Sequence, residues 1–402
     1  MPSLLQVAEK TINLADALPN PRVFQVSSVA LEIRSLVQSS RLPSSLALTG
    51  TDLDEVMQPS SPDNPRLLAW LRRWQMRVHR PPYVGGPSWH SERELGVCMF
   101  NGSLHAMAAA FDVLVGPGDA VLLERPTFPS AISMLRVLGA DLRPVATDAN
   151  GLIPADLERA LAEAPHARVL YLIPTGQNPS GASLPVERKR EIYRIACAHD
   201  LLVLEDDPYW NLQMETAFAQ QNRSLMSMDV EGRVLRFDSF SKVLSAGLRL
   251  GVASGAPALV EKLQAHQQAS AQHPSLLSQM LLLRILEHLR EEGFEEHLAA
   301  LQDFYRAQRD CFLRAVDTHL SSMVRYQSPA AGMFLWMEAL HHTNTDELVR
   351  MGGPKHKVLA VSGQCFQPDD QPSNFFRTSF STATPFEMDQ ACQQLASLLS
   401  TF

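Results

Sequence analysis

The stretch "RVLRFDSFSKVLSAGLRLGVASG", residues 233–255, places one lysine on a loop of small residues between two apolar runs. Both runs, "RVLRFD" and "LGVASG", are typical of short strands that are buried on both faces. Lys242 stands among three serines on the loop, and Arg249 follows seven residues later. An arbitrary lysine lies on the surface in most cases, so the rest of the chain must show whether this one has a chemical role.

Apolar runs alternate with helical patterns on the N-terminal side of this stretch. Strands are predicted at residues 120–124, 168–174 and 201–206, and helices at 103–114 and 185–199. In the first helix one apolar face is predicted from the spacing of Leu104, Met107, Ala108, Phe111 and Leu114. This alternation predicts an α/β fold whose large domain has a mostly parallel, mixed sheet flanked by helices.

The alternation of short strands and helices ends after Gln279. A long helical pattern is followed by the short strand candidates "GMFLWMEAL", "VLAVSG" and "NFFRTSFS". These segments predict a smaller α+β domain. We expect residues 1–48 to form an N-terminal arm and part of the small domain, residues 49–296 the large domain, and residues 297–402 the small C-terminal domain.

Composition excludes several classes of function. The chain has 402 residues, 45% of them hydrophobic, and a net charge of −8, so it lacks the broad basic surface that nucleic-acid binding requires. The sequence contains no run of about 18 apolar residues, so no membrane span is expected. The five cysteines form no CxxC pair and the histidines show no metal-ligand spacing, so no metal is expected. The N-terminus shows neither a secretory signal nor a presequence, which favours the cytoplasm or the mitochondrial matrix.

Polar residues follow three of the predicted strands. "PTGQNPSG" comes after Ile173, "EDDPYW" comes after Leu204, and "DSFSK" comes after the strand before Lys242. In open α/β sheets, ligands bind beyond the carboxyl ends of the strands, which is where these segments would converge. A lysine that forms a covalent bond with an aldehyde must lose its proton near neutral pH, and a neighbouring cation such as Arg249 favours this. Ser239, Ser241 and Arg249 offer donors that suit a phosphate.

The quoted segments resemble those of fold-type I aminotransferases, which depend on pyridoxal phosphate (PLP). "DSFSKVLSAGLRLG" is similar to their S-x-S-K and G-x-R-x-G segment, and "PTGQNPSG" and "EDDPYW" are similar to two further motifs. "LPNPRVF", "HPSLLSQ" and "PAAGMFLW" resemble the 2-aminoadipate/kynurenine aminotransferase branch. The resemblance implies transfer of an amino group between a 2-amino acid, such as aminoadipate or kynurenine, and a 2-oxo acid such as 2-oxoglutarate. It also implies a homodimer.

The resemblance assigns roles at the reacting end of the cofactor. Lys242 would hold PLP covalently, and Asp206 would keep the ring nitrogen protonated. Asp207 could exchange roles with Asp206, but the three-residue spacing to Tyr209 favours Asp206. Tyr209 and Asn178 would bind the phenolic oxygen of the ring, and Asn178 could instead bind the substrate carboxylate.

The resemblance also assigns the phosphate and substrate contacts. Arg377 would bind the substrate α-carboxylate with its planar guanidinium. "NGSLHAM" opens a helix whose N-terminal N–H groups favour an anion, although an ordinary serine N-cap would have the same local sequence. Phe128 would stack on the ring. The remaining cofactor contacts would be Gly102, Ser103, Ser239, Ser241 and Arg249.

Several positions depart from the pattern of this branch. Gln58 stands near a tyrosine that reaches the partner subunit's phosphate in relatives, and Asp63 stands at a glycine. Phe128 and Leu104 stand where a tyrosine and a polar residue are usual, and Asp16 with Ala17 replaces a glycine pair beside the substrate. Asp16 would disfavour substrates with acidic side chains. These changes leave two alternatives open: a PLP lyase on the same scaffold, or a degenerate, non-catalytic paralogue.

Overall fold

The computed structural model describes residues 28–33, 44–57, 63–85 and 94–401. Its strands are β1 (Ser28–Glu32), β2 (Ser45–Thr49), β3 (Gly96–Phe100), β4 (Ala120–Arg125), β5 (Asp141–Asp148), β6 (Gly151–Leu152), β7 (Val169–Leu172), β8 (Leu202–Asp206), β9 (Val234–Ser239), β10 (Gly251–Gly255), β11 (Val324–Tyr326), β12 (Phe334–Ala339), β13 (Val361–Ser362) and β14 (Phe375–Ser379). Its α-helices are α1 (Thr51–Met57), α2 (Pro65–Val78), α3 (Ser103–Leu114), α4 (Pro129–Val137), α5 (Pro154–Glu163), α6 (Val186–Ala198), α7 (Thr216–Gln221), α8 (Pro257–Ser270), α9 (Leu276–Leu320), α10 (Gly353–Lys355) and α11 (Pro385–Thr401).

The large sheet has eight strands in the order β3-β10-β9-β8-β7-β4-β5-β6. Strands β9, β8, β7, β4 and β5 pair in parallel, whereas β10 and β6 run antiparallel to their neighbours. Helices α3, α4 and α8 pack on one face, and α2, α5 and α6 pack on the other. The predicted α/β fold with a mostly parallel, mixed sheet is confirmed.

The central strands present side chains to both packed faces. Side chains alternate along a strand, so Leu204 and Asp206 of β8 face one side, and Val203 and Glu205 face the other. All four are buried, which explains why β8 reads as a nearly continuous apolar run that becomes acidic only at its end. This alternation separates the last acidic residues of β8 onto opposite faces of the sheet.

A second, antiparallel sheet has the order β11-β12-β14-β13. Helix α9 connects the two parts of the molecule, because it packs against both α2 and α11. Its backbone leaves helical geometry at Arg290, where φ is 55°. Strands β1 and β2 form a separate antiparallel pair. Within the described ranges, no helix is both long enough and apolar enough to cross a membrane.

The predicted apolar face of α3 is partly wrong. Met107 and Phe111 are buried as expected, but Leu104 is 38% exposed, and Ala106, Ala109 and Ala110 complete the buried face instead. The first turn of α3 projects beyond the core towards a cavity, so an apolar residue in that turn is not covered by the sheet. Periodicity alone cannot show where along a helix the core ends.

Candidate active site

A cavity of about 310 Å³ lies where the strand-end segments converge. Asp206 and Ser239 are the last residues of β8 and β9, and Ile173 directly follows β7. Arg377 of β14 lines the opposite wall, so the cavity lies between the two sheets. The residues predicted from sequence that line it are Ser103, Phe128, Asn178, Asp206, Tyr209, Ser239, Ser241, Lys242, Arg249 and Arg377.

Four positions singled out from the sequence do not line the cavity in the described part of the chain. Gly102 directly precedes the first cavity residue of α3 and lies beside the Arg249 guanidinium. Asp16 and Gln58 lie outside the described residues. Asp63 is buried away from the cavity lining, where its Oδ2 accepts a 3.3 Å hydrogen bond from the backbone N–H of Met99.

Asp206 is a buried acid whose side chain faces the cavity. The Tyr171 hydroxyl donates a 2.8 Å hydrogen bond to its Oδ2. Burial raises the pKa of Asp206 to about 7; the Tyr171 hydrogen bond opposes this rise, and the carboxylates of Asp207 and Asp238 add to it. In the described part of the chain, Oδ1 makes no hydrogen bond, so it can accept one from a cationic N–H group inside the cavity.

Asp207 points away from the cavity. Its Oδ2 accepts hydrogen bonds from Arg236 Nη1 at 2.8 Å and from the Thr175 hydroxyl at 3.3 Å. Asp206 and Tyr209, by contrast, both line the cavity. Strand alternation therefore favours Asp206 over Asp207 for contact with a ligand.

Lys242 lies half-buried among cations. Burial lowers the pKa of Lys242, and the nearby charges of Arg377 and Arg249 lower it further. The backbone N–H of Ser241 donates to Ser239 Oγ at 3.2 Å, which orders the loop just before the lysine. A lysine with a lowered pKa has a larger neutral fraction near pH 7, as covalent bond formation requires.

The N-terminus of α3 forms one end of the cavity. Gly102 caps this helix with a positive φ of 84°, and no side chain caps it, so the serine N-cap interpretation is wrong and Ser103 is the first helical residue. A Cβ at Gly102 would lie 2.5 Å from Arg249 Nη2, and a Cβ at Gly251 would overlap the backbone nitrogen of Ser103. The two glycines therefore bring free N–H groups, a positive helix end and a guanidinium together, which suits a phosphate.

Arg377 joins the two sheets at the opposite end of the cavity. Its Nη1 donates a 2.6 Å hydrogen bond to Asn178 Oδ1. Its guanidinium lies 4.2 Å from the ring centroid of Phe334 and 5.1 Å from that of Phe366. The ring of Phe334 also contacts the Tyr209 ring edge to face, at 5.7 Å between centroids. Contacts with these aromatic rings hold the guanidinium in place and offset part of the free energy that is lost when it is removed from water.

Three residues at or near the site were not predicted from the sequence: Tyr171, Phe366 and Arg236. A tyrosine inside the doubly buried run "RVLYLIP" was an available signal, because a buried hydroxyl needs a partner. An arginine inside "RVLRFD" was a similar signal, because a fully buried charge must be paired. Phe366 gave no local signal, since it reaches Arg377 only through the fold.

Comparison with known proteins identifies the family. The protein-family model described as "Aminotransferase class I and II" matches residues 81–395 of the sequence. The chain belongs to this family. It is 36% identical over 409 residues to the mouse protein "Kynurenine/alpha-aminoadipate aminotransferase, mitochondrial", covering 98% of this chain and 93% of that one. It is 31% identical over 441 residues to an aromatic amino acid aminotransferase of Schizosaccharomyces pombe, covering 97% and 91%.

A solved structure extends the comparison to the cofactor. LysN, an alpha-aminoadipate aminotransferase from Thermus thermophilus, is 30% identical with a TM-score of 0.76, covering 87% of this chain and 85% of that one. That structure contains N-(5'-phosphopyridoxyl)-L-leucine. The present chain is an aminotransferase, and its cofactor is pyridoxal phosphate.

The cavity fits this cofactor at both ends. Gly102 and Gly251 allow the N-terminus of α3 to lie close to Arg249, and this arrangement suits the phosphate. The Asp206 oxygen that makes no hydrogen bond in the described part of the chain suits a protonated ring nitrogen. The Lys242 amine lines the same cavity. Its volume of about 310 Å³ falls at the lower end of ordinary small-ligand sites.

Proposed function

We propose that this aminotransferase moves an amino group from a 2-amino acid of the aminoadipate, kynurenine or aromatic kind to a 2-oxo acid such as 2-oxoglutarate. The observation that carries the proposal is the pairing of Arg377 with Asn178 in the cavity that also holds Lys242. A carboxylate clamp beside a lysine of lowered pKa suits a substrate that carries a carboxylate next to its amino group. The names of the relatives from mouse and Schizosaccharomyces pombe support the range of amino acids.

The reacting end of the site would be built from four side chains. Lys242 Nζ would hold the cofactor aldehyde until the substrate amine displaces it, and the freed Lys242 amine would then take the proton from the substrate α-carbon. Asp206 would hold a proton on the ring nitrogen through its free oxygen, and Tyr209 and Asn178 would bind the phenolic oxygen. PLP, when bound, supplies an electron sink for the α-carbon. Arg377 would orient the substrate carboxylate, with Asn178 as the second contact.

The other end of the site would hold the phosphate. Ser103 would contribute a free N–H group at the start of α3, and Arg249, Ser239 and Ser241 would contribute side-chain donors. Gly102 would border the phosphate without donating to it, because its own N–H donates to the Phe100 carbonyl at 2.7 Å. Phe128 would stack on the ring from the wall of the cavity. Leu104 lines this end without a polar group, so backbone N–H groups and Arg249 would carry more of the phosphate binding.

We also propose the domain organisation and assembly. Support for a large domain at 49–296 comes from the eight-stranded sheet, whose strands run from Gly96 to Gly255. Support for a small domain at 297–402 comes from the four-stranded sheet and from the helix break at Arg290. Residues 1–48 would form the N-terminal arm and part of the small domain. The enzyme would be a homodimer of the cytoplasm or the mitochondrial matrix.

One spectroscopic experiment tests the proposed function. PLP added to the purified protein should give a visible absorption band that Lys242→Ala loses, and the band should convert when an amino donor is added. A panel of aminoadipate, kynurenine, phenylalanine, methionine and glutamate then ranks the donors. A band that forms but never converts with any donor would favour the lyase or the non-catalytic alternative. Equal spectra for the wild type and Lys242→Ala would contradict the assignment of the lysine.

A further inference from the structure

A layer of buried charges lies on the face of the large sheet that points away from the cavity. It consists of Lys189, Glu205, Asp207 and Arg236, which are buried, and of Asp238 at its margin, whose side chain is 16% exposed; we call it the buried charge layer. Strand alternation puts Glu205 on the opposite face of β8 from Asp206, and Arg236 on the opposite face of β9 from Ser239. The layer thus lies directly behind the acid that faces the ring nitrogen, and none of its members lines the cavity.

Arg236 is the centre of this layer. Its side chain is 0% exposed, and its Nη1 lies 2.8 Å from Asp207 Oδ2 and 3.3 Å from Glu205 Oε1. Its Nη2 lies 2.9 Å from Asp238 Oδ1. The guanidinium also lies 5.2 Å from the ring centroid of Trp210. One arginine therefore pairs with three carboxylates at hydrogen-bond or ion-pair distance.

The layer still carries excess negative charge. Lys189 is its second cation, but the Lys189 ammonium donates to Asn222 Oδ1 at 2.7 Å and to the Arg223 carbonyl at 2.9 Å rather than to a carboxylate. His79 lies close by, and burial lowers its pKa far enough to leave it neutral. With all carboxylates ionised, two cations face three anions. Loss of Arg236 would double this excess and leave two buried carboxylates and the partly buried Asp238 without their main partner.

Asp206 lies within the influence of this charge. Asp207 and Asp238 act on it from behind as anions, and Arg236 acts as a cation. On the cavity side, Tyr171 donates a hydrogen bond to Asp206, and Tyr209 lines the same wall. Glu124 of β4 is a further acid near Asp206, and burial raises the pKa of Glu124 to about 8, so Glu124 adds little negative charge at pH 7.

We propose that Arg236 is a positioning residue for the cofactor: from the far face of the sheet it keeps the Asp206 carboxylate ionised, and so preserves the partner of the protonated ring nitrogen. This inference rests on the proposed role of Asp206. The sign follows from electrostatics, because a buried cation favours the ionised form of a nearby acid. Removal of Arg236 should raise the pH below which Asp206 is protonated, whereas removal of the Asp238 charge should lower it.

The test measures binding of pyridoxamine 5'-phosphate to cofactor-free protein between pH 5 and pH 9. This ligand keeps the ring nitrogen and the phosphate but has no aldehyde, so its binding does not require Lys242. The dissociation constants of wild type, Arg236→Met, Asp206→Asn and the double variant are compared at each pH. Because the ligand is the same throughout, its own titration cancels between proteins. Arg233→Met is the matched control, since Arg233 directly precedes β9 and pairs with Glu231 rather than with the layer.

Arg236→Met should shift the pH midpoint of binding upward by about one unit. Arg233→Met should leave the midpoint in place. In the Asp206→Asn background, Arg236→Met should have no further effect on the midpoint, because the group that it controls is gone. Asp238→Asn keeps one of the two oxygens that accept from Arg236, so it is a milder change than Arg236→Met, and it should shift the midpoint downward.

The failures of the two proposals are distinguishable. If Asp206→Asn binds the ligand as the wild type does at every pH, the role of Asp206 itself is wrong. If Asp206→Asn changes the pH profile but Arg236→Met and Asp238→Asn do not, only the role of Arg236 is wrong. If Arg236→Met does not fold, the direction of the Asp238→Asn shift decides alone, and an unchanged or raised midpoint overturns the inference.

Discussion

Asp206→Asn should make the cofactor-free protein more stable at pH 8, although it removes a proposed cofactor contact. The pKa of this acid is raised from 3.8 to about 7 by burial, so the folded state resists the ionisation that the unfolded state allows. The wild type therefore loses stability as the pH rises from about 4 to about 7, and the loss is complete above that range. Asparagine has a similar shape but cannot ionise, so the variant avoids the loss.

The size of this effect follows from the shift. A rise of roughly 3 pKa units, at about 1.4 kcal/mol per unit, predicts that the variant is more stable by about 4 kcal/mol at pH 8 and by less than about 1 kcal/mol at pH 4. Urea denaturation of both cofactor-free proteins, followed by tryptophan fluorescence at the two pH values, measures the difference in the free energy of unfolding.

A second carboxylate provides a control of opposite sign. Asp148 is exposed; partial burial is the largest single influence and raises its pKa, but hydrogen bonds from Arg188 and from the backbone of Asn150 together outweigh it and lower the pKa. Asp148→Asn should therefore lose stability at pH 8 relative to the wild type. Equal stabilities of wild type and Asp206→Asn at both pH values, or a less stable Asp206→Asn protein at pH 8, would refute the reasoning about burial.

Three further variants test the geometry of the site. Arg377→Lys should raise KM for the amino acid about 10- to 100-fold, because an ammonium cannot bind a carboxylate bidentately; an unchanged KM in steady-state assays would argue against the clamp. Gly251→Ala should weaken PLP binding at least 10-fold by pushing α3 away at Ser103, and wild-type affinity in a fluorescence titration would contradict this close approach. Tyr171→Phe should raise the pKa of Asp206 by about 1 unit, which would appear as an upward shift in the pH profile of pyridoxamine 5'-phosphate binding. An unchanged profile would show that this hydrogen bond does not influence the pKa of Asp206.

Local sequence was sufficient to predict the order of the central elements and the convergence of the polar segments at their ends. Residues 103–114 were predicted as a helix and form α3 over the same range, and the strand before Lys242 was predicted within a residue of β9. These elements are specified by short-range periodicity and by the residues that interrupt it. Because parallel strands end at one edge of a sheet, the convergence of Asn178, Asp206 and Lys242 also followed from sequence.

Other features depended on contacts between residues far apart in the chain. The Arg377 guanidinium reaches Asn178 across 199 positions, and no local pattern specifies that distance. Tyr171 and Asp206 are hydrogen-bonded only because β7 and β8 are neighbours in register.

Local patterns along the chain were enough to predict the α/β fold class and the strand-end segments that line the cavity. The packing of strands and helices was needed to show which acid of the pair faces the cavity, that Gly102 rather than Ser103 caps α3, and that Arg236 is buried against three carboxylates. The reason is that backbone geometry follows from short-range periodicity, whereas the partners and burial of a charged side chain depend on which strands and helices pack around it.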